Sequence, residues 1–189
     1  MNPASGPGLL PDAAYVAGIA RLTRAGIRVI GYVATGYGAL PANAVALDLA
    51  RWRQHYPAVG GVFLDEVPTQ LALRFHYGQI AADARRHGFT LVVGNAGIST
   101  DLAFAEWLDV LIAYEQPGWP GPGEPSAELA NRFGKQKFGM LAYETATFTP
   151  EAAATAASRF GWVYVTEDAQ PNPWDTLSGH AEAIADALD

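Results

Sequence analysis

Apolar positions along this chain follow two alternating rhythms. Short, nearly continuous apolar runs occur at Ile27–Ala34, Gly61–Leu64, Thr90–Gly94, Val110–Tyr114, Lys137–Ala142 and Trp162–Val165. Runs of this length bounded by turn residues predict strands buried on both faces, as in a parallel sheet covered by helices. Between them the apolar residues recur at helical spacing. Tyr15, Val16, Ile19, Ala20 and Leu22 form one stripe, opened by Pro11-Asp12 and closed by Ala25-Gly26. Val45, Leu47, Leu49 and Trp52 form the next, after Pro41, and Leu71, Phe75, Ile80 and Ala84 mark a helix over 71–86 with Gly88 just past its end. Shorter helices are predicted from Asp101 to Trp107, over 126–133, from the Thr149-Pro150-Glu151 cap to Arg159, and over 180–188. Strand and helix thus alternate six times at intervals of about 20 to 34 residues. That rhythm means parallel strands joined by right-handed helical crossovers, in a (β/α) barrel or an open doubly wound sheet, over one domain spanning 1–189.

In either arrangement the C-terminal ends of the strands face the ligand. Here they carry Thr35 with Tyr37, Asp65 with Glu66, Asn95, Glu115, Tyr143 with Glu144, and Thr166 with Glu167 and Asp168. Carboxylates, an amide, hydroxyls and aromatic rings are what glycoside hydrolysis needs. One carboxyl protonates the glycosidic oxygen, while a second acts as nucleophile, base or charge stabiliser. Aromatic faces pack on the apolar faces of pyranose rings, and Tyr37, Tyr114, Trp119 and Trp174 are the candidates. Adjacent side chains on a strand point to opposite faces, so Asp65 and Glu66 cannot both enter one mouth unless the backbone is already turning between them. Glu115 is the candidate partner carboxyl.

Composition narrows the field. Half of the 189 residues are apolar, 16% are charged and the net charge is −7. An acidic chain argues against nucleic acid and anionic membrane surfaces as partners and suits a neutral or cationic ligand. No run of about 18 apolar residues predicts a membrane span. There is no cysteine, hence no disulfide, thiolate metal site or cysteine nucleophile. The only lysines, Lys135 and Lys137, stand at the start of a strand, the wrong end for a Schiff-base aldolase. The four histidines, His55, His76, His87 and His180, lie on or near predicted helices, where solvated side chains are expected and a metal centre is not. No phosphate-cradling glycine motif follows a strand, so no cofactor is expected. Ser99 and Ser178 lack a strand-end histidine for a triad. The turn-rich opening, Met1 to Gly8, does not read as a signal peptide.

A set of blocks gives the chain a family resemblance. They are Asn2-Pro3-Ala4-Ser5-Gly6-Pro7-Gly8, Gly31-Tyr32-Val33-Ala34-Thr35-Gly36-Tyr37-Gly38, Gly61-Val62-Phe63-Leu64-Asp65-Glu66 and Asn95-Ala96-Gly97. Tyr114-Glu115, Tyr164-Val165-Thr166-Glu167-Asp168 and Asn172-Pro173-Trp174-Asp175 complete the set. In this order, across essentially the whole chain, it resembles the spherulin-4-like (spherulation-specific) family. The resemblance implies a TIM-type (β/α)8 barrel and an endo-acting, hexosaminidase-like glycoside hydrolase. It also implies secretion and a polysaccharide substrate containing galactosamine or N-acetylgalactosamine, such as galactosaminogalactan. It places the family's acidic pair on Asp65 and Glu66 and its later glutamate on Glu115. Asn2, Tyr32, Tyr37, Asn95, Tyr114, Trp119, Asp168 and Trp174 are then the expected sugar-binding residues.

Two departures from the family shape the expectations. The chain begins at the Asn-Pro-x-Ser-Gly-Pro-Gly block, so the barrel's first strand and helix, and most of its second strand, are expected to be missing. The edges beside Ile27–Ala34 and Trp162–Val165 would then lack partners, and either a homodimer covering them or a rearranged N-terminus is expected. Glu167 stands where the family more often has aspartate. The alternative to an enzyme is an inactive carbohydrate-binding or structural derivative of the barrel.

Overall fold

The computed structural model describes residues 1–188. Among these residues, six strands alternate with helices and the strand pairings are parallel. This is the alternation of an incomplete (β/α) barrel whose sheet does not close. The chain divides into two compact units, Met1–Asn95 with Ala103–Val110, and Ala96–Leu102 with the residues from Leu111 onward. No helix of the described residues is long and apolar enough to cross a membrane.

The first unit holds α1 (Ala13–Arg24), β1 (Ile30–Ala34), α2 (Ala42–His55), β2 (Gly61–Asp65), α3 (Arg74–Arg86), β3 (Leu91–Asn95) and most of α4 (Leu102–Trp107). β2 lies between β1 and β3, with Ile30 opposite Gly61, Ala34 opposite Asp65, Gly61 opposite Leu91 and Leu64 opposite Gly94. Strand alternation divides the side chains cleanly. Val33, Val62, Leu64 and Val92 point to the helical side and are fully buried. On the opposite face Tyr32, Phe63 and Asp65 are only half-buried where the sequence predicted burial, while Leu91, Val93 and Asn95 of β3 are buried as predicted. Beneath β1 the Trp52 ring of α2 packs where Gly31 has no side chain, and its indole Nε1 donates to Tyr32 O at 2.8 Å.

The strand predicted over 27–34 begins only at Ile30, because Ile27 finishes α1 instead. Gly26 turns left-handed at φ +81° and Ile27 N donates back to Leu22 O at 3.0 Å, which satisfies an open helix carbonyl. Five residues of the predicted stripes are exposed: Val16, Ala20, Leu47, Leu71 and Phe75. The buried stripe of α2 is Val45, Leu49 and Trp52, at i, i+4 and i+7, which leaves Leu47 on another side. That of α3 is Tyr77, Ile80, Ala81 and Ala84. Leu71 belongs to a separate 3-10 turn, Leu71–Leu73, and Phe75 is covered by the Arg74 guanidinium, 4.2 Å from its ring centre. The helical histidines are also less solvated than expected, since His55 Nδ1 and His76 Nε2 are buried.

The outer edge of β1 is not bare along its whole length. Met1 N donates to Ile30 O at 2.8 Å and Met1 O accepts from Tyr32 N at 2.9 Å. These two bonds form one rung of a parallel ladder. Burial there pushes the Met1 amine pKa down.

The second unit contains β4 (Val110–Pro117) apart from its first residue, α5 (Ala127–Arg132), β5 (Phe138–Tyr143), α6 (Pro150–Ala157), β6 (Trp162–Val165) and α7 (Ala181–Leu188). β5 pairs with β4, Leu111 opposite Phe138 and Pro117 opposite Tyr143, and with β6, Gly139 opposite Trp162 and Ala142 opposite Val165. β4 runs past its predicted end at Tyr114, because an irregularity between Ile112 and Tyr114 re-registers Gln116 and Pro117 against Ala142 and Tyr143. Ser126 and Thr149 cap α5 and α6, accepting from Leu129 N and Ala152 N.

Candidate functional site

In the first unit the carboxylates stand where β2 ends. The strand stops at Asp65, and Glu66 turns left-handed at φ +60°, a conformation that is uncommon without a glycine. The backbone is therefore already turning between the two acids, and each has its own task. Asp65 stays on the half-open face and gathers three donors. Tyr32 Oη donates to its Oδ2 at 2.9 Å, while Asn95 Nδ2 and Glu66 N donate to its Oδ1 at 2.8 and 2.9 Å. The donors come from β1, β3 and the turn after β2, so the register of the sheet sets the carboxylate's orientation. Glu66 instead reaches toward the loop after β1, where its Oε2 accepts from Gly36 N at 2.8 Å.

Beneath this acidic turn lies a buried hydroxyl pair. Thr35 Oγ1 is 2.6 Å from Asp65 O and 3.0 Å from Glu66 O, and Tyr77 Oη is 2.5 Å from Thr35 Oγ1. Burial, foremost, pushes the Tyr77 pKa up to about 12, so this phenol stays a donor through the physiological range. Tyr77 was invisible to sequence reasoning as a site residue, because its helical spacing with Ile80, Ala81 and Ala84 marks it only as core. Of the expected sugar-binding residues here, Tyr37 projects 64% exposed from a left-handed position at φ +53° in the turn Gly36–Gly38. Asn2 turns inward on its own loop, its Oδ1 accepting from Gly6 N at 2.8 Å.

In the second unit the focus is Glu115 on β4. Its backbone N donates to Gly97 O at 2.8 Å, and its Oε1 accepts from Trp174 Nε1 at 3.1 Å. The indole also touches two tyrosines at the ends of β5 and β6. The Tyr143 ring lies edge-on at 6.0 Å and the Tyr164 ring is tilted at 6.1 Å. Trp174 arrives on the segment between β6 and α7, which is stapled at three points. Thr176 Oγ1 donates to Asp168 Oδ2 at 2.5 Å. Tyr164 Oη accepts from Ser178 N at 3.1 Å and donates to Thr176 O at 3.4 Å. Glu167 accepts from Ser178 Oγ at 3.1 Å and Gly179 N at 2.9 Å. The backbone N–H groups of Glu167 itself and of Gly179 hold the Glu167 carboxyl below its ordinary range. Glu167 and Asp168 thus brace this segment, and sequence offered no signal for their partners.

Tyr114 and Trp119, the other expected residues of this unit, make different contacts. Tyr114 is buried, and its hydroxyl donates to Gly118 O at 2.8 Å, fastening the start of the Gly- and Pro-rich segment 118–125 after β4. Burial is also the main reason its pKa is raised. Trp119 packs near Phe148, ring centres 6.0 Å apart, and lines a groove of about 220 Å³ along α6 with Pro120, Glu151, Thr155 and Arg159. His180, stacked on Phe148, places Nε2 3.1 Å from Thr145 O.

Three likenesses to known proteins accompany this geometry. The family model described as "Spherulation-specific family 4" matches residues 1–188. Spherulin-4 of Physarum polycephalum is 27% identical over 203 aligned residues, covering all of this chain, which in turn spans 60% of that protein's length. The crystal structure of Aspergillus clavatus Sph3 in complex with GalNAc superposes with a TM-score of 0.81 at 19% identity, over 99% of this chain and 83% of that one. The last likeness bears on fold alone, and agrees with the incomplete barrel.

Proposed function

Because this chain belongs to the spherulation-specific family 4, we propose that it is a glycoside hydrolase acting on polysaccharide that contains galactosamine or N-acetylgalactosamine. The observation that carries this reading is Asp65, a carboxylate oriented by three donors at the C-terminal end of a parallel strand. That placement is where α/β folds present reacting groups. The GalNAc bound in the Aspergillus clavatus protein supports the choice of sugar class.

In this proposal Asp65 is a reacting carboxyl of the first unit, and Glu115 is the candidate reacting carboxyl of the second. Glycoside cleavage asks such a group to give a proton to the departing glycosidic oxygen or to act on the anomeric side as nucleophile, base or charge stabiliser. Glu66 holds the loop after β1 through Gly36 N and so keeps Tyr37 presented. Tyr32 and Asn95 orient Asp65, and Tyr37 and Trp119 are candidate ring platforms. An amino sugar bearing a free ammonium suits a chain of net charge −7.

The test is reducing-end release from galactosaminogalactan, in acetylated and deacetylated forms. Turnover by the wild-type chain that is lost in Glu115→Gln supports the hydrolase. Binding without turnover favours the inactive, carbohydrate-binding alternative. In the same assay Tyr32→Phe is expected to lower kcat roughly tenfold without changing the melting temperature by more than about 2 °C. The variant removes one hydrogen bond to a charged group and leaves the Tyr32–Phe63 ring contact in place.

A further inference from the structure

The geometry around β4 points to a specific task for Trp174: we propose that its indole N–H is the director of the Glu115 carboxylate. Trp174 is then a positioning residue and not a platform for a sugar ring. This inference rests on the reading of Glu115 as a reacting carboxyl.

Three observations carry it. First, the contact is direct, with Trp174 Nε1 3.1 Å from Glu115 Oε1. An indole N–H can only donate, so it cannot exchange roles with the carboxylate as a hydroxyl or amide could. Second, the ring has aromatic neighbours already. Tyr143 meets it edge-on, with an interplanar angle of 89°, and Tyr164 lies tilted at 58°. Third, the segment that delivers the ring is braced far more than a loop offering a passive platform requires. Asp168 with Thr176, Tyr164 with Ser178, and Glu167 with Ser178 and Gly179 tie it down on both sides of Trp174. The bracing extends to sequence. A Cβ on Gly179 would come 2.5 Å from Glu167 Oε1, so the carboxylate docks against a residue with no side chain.

The physical need is plain. A glutamate side chain has three rotatable bonds, and a reacting carboxyl must be held within about 0.5 Å of its productive place. A rigid donor anchored on its own segment supplies that restraint without adding charge.

The test uses Trp174→Phe, which keeps an aromatic ring and deletes the N–H, together with Glu115→Gln. By NMR, the Trp174 indole proton, assigned by its disappearance in Trp174→Phe, is expected to shift with pH through one carboxyl transition. That transition should vanish in Glu115→Gln and persist in Asp168→Asn, the other carboxylate braced on this segment. In turnover, Trp174→Phe is expected to lower kcat roughly 10- to 100-fold, as for a lost hydrogen bond to a charged group, with KM changed less than about twofold. The double variant should be no slower than Glu115→Gln alone. An indole proton insensitive to Glu115, or a Trp174→Phe variant with raised KM and intact kcat, would overturn the proposal in favour of ring stacking. Full turnover in Glu115→Gln would overturn it differently. The hydrolase reading of Glu115 would then fall while the NMR titration remained, so the two failures are distinguishable.

Discussion

Asp65→Asn is expected to reduce polysaccharide turnover by about three orders of magnitude, the range of a lost acid–base or nucleophilic carboxyl, while leaving the fold intact. The reason lies in how its three donors are arranged. Oδ1 accepts from Asn95 Nδ2 and Glu66 N, and an asparagine carbonyl placed there keeps both bonds. The new amide group then faces Tyr32 Oη, whose hydroxyl can rotate and accept where it formerly donated. Shape and hydrogen bonding survive, and only the carboxyl chemistry is removed. Kinetics read beside a thermal melt check this directly. A variant with full turnover would remove Asp65 from the reaction, whereas a large drop in melting temperature would show that the isosteric exchange is not neutral.

Gly61→Ala is expected to be the most damaging small substitution in the first unit, costing about 3 kcal/mol and lowering Tm by about 6–12 °C. Gly61 opens β2 between Ile30 of β1 and Leu91 of β3. An added Cβ would stand 2.5 Å from Leu91 O, 2.8 Å from Leu91 Cβ and 3.0 Å from Ile30 Cγ2. The nearest of these atoms is backbone in the neighbouring strand, which cannot move without disturbing the sheet. Gly94→Ala provides the contrast. Its nearest obstacle is a methyl of Leu108, at 2.4 Å, and a side-chain end can move where a paired backbone cannot. Gly94→Ala is therefore expected to cost less than Gly61→Ala. Differential scanning calorimetry of both variants checks the order, and equal shifts would show that the β2–β3 pairing yields more readily than its geometry implies.

The alternation of strands and helices was legible because it rests on local properties. An apolar run bounded by turn residues buries itself as a parallel strand, and a 3.6-residue stripe lays a helix over it. The positions of Asp65 and Asn95 at strand ends were legible for the same reason, whereas Glu115, expected just past a strand, lies inside β4, which runs on to Pro117. Where the stripe contained extra apolar residues, as at Leu47 and Phe75, sequence could not say which of them the neighbouring elements would cover. The start of β1 was misjudged because Ile27 N answers to Leu22 O in the preceding helix, a competition between caps and strands that an apolar run does not reveal.

The sequence by itself determined the element order, the acidic balance and the family, because composition, periodicity and motif order are properties of the chain taken residue by residue. The tertiary structure alone decided that Glu66 turns away from Asp65, that Tyr77 sits beneath both, and that Trp174 gives its N–H to Glu115. Each of these joins residues that are distant in the sequence or depends on a backbone angle. A hydrogen bond across 59 positions, as between Trp174 and Glu115, exists only once strand register and loop bracing have brought donor and acceptor together.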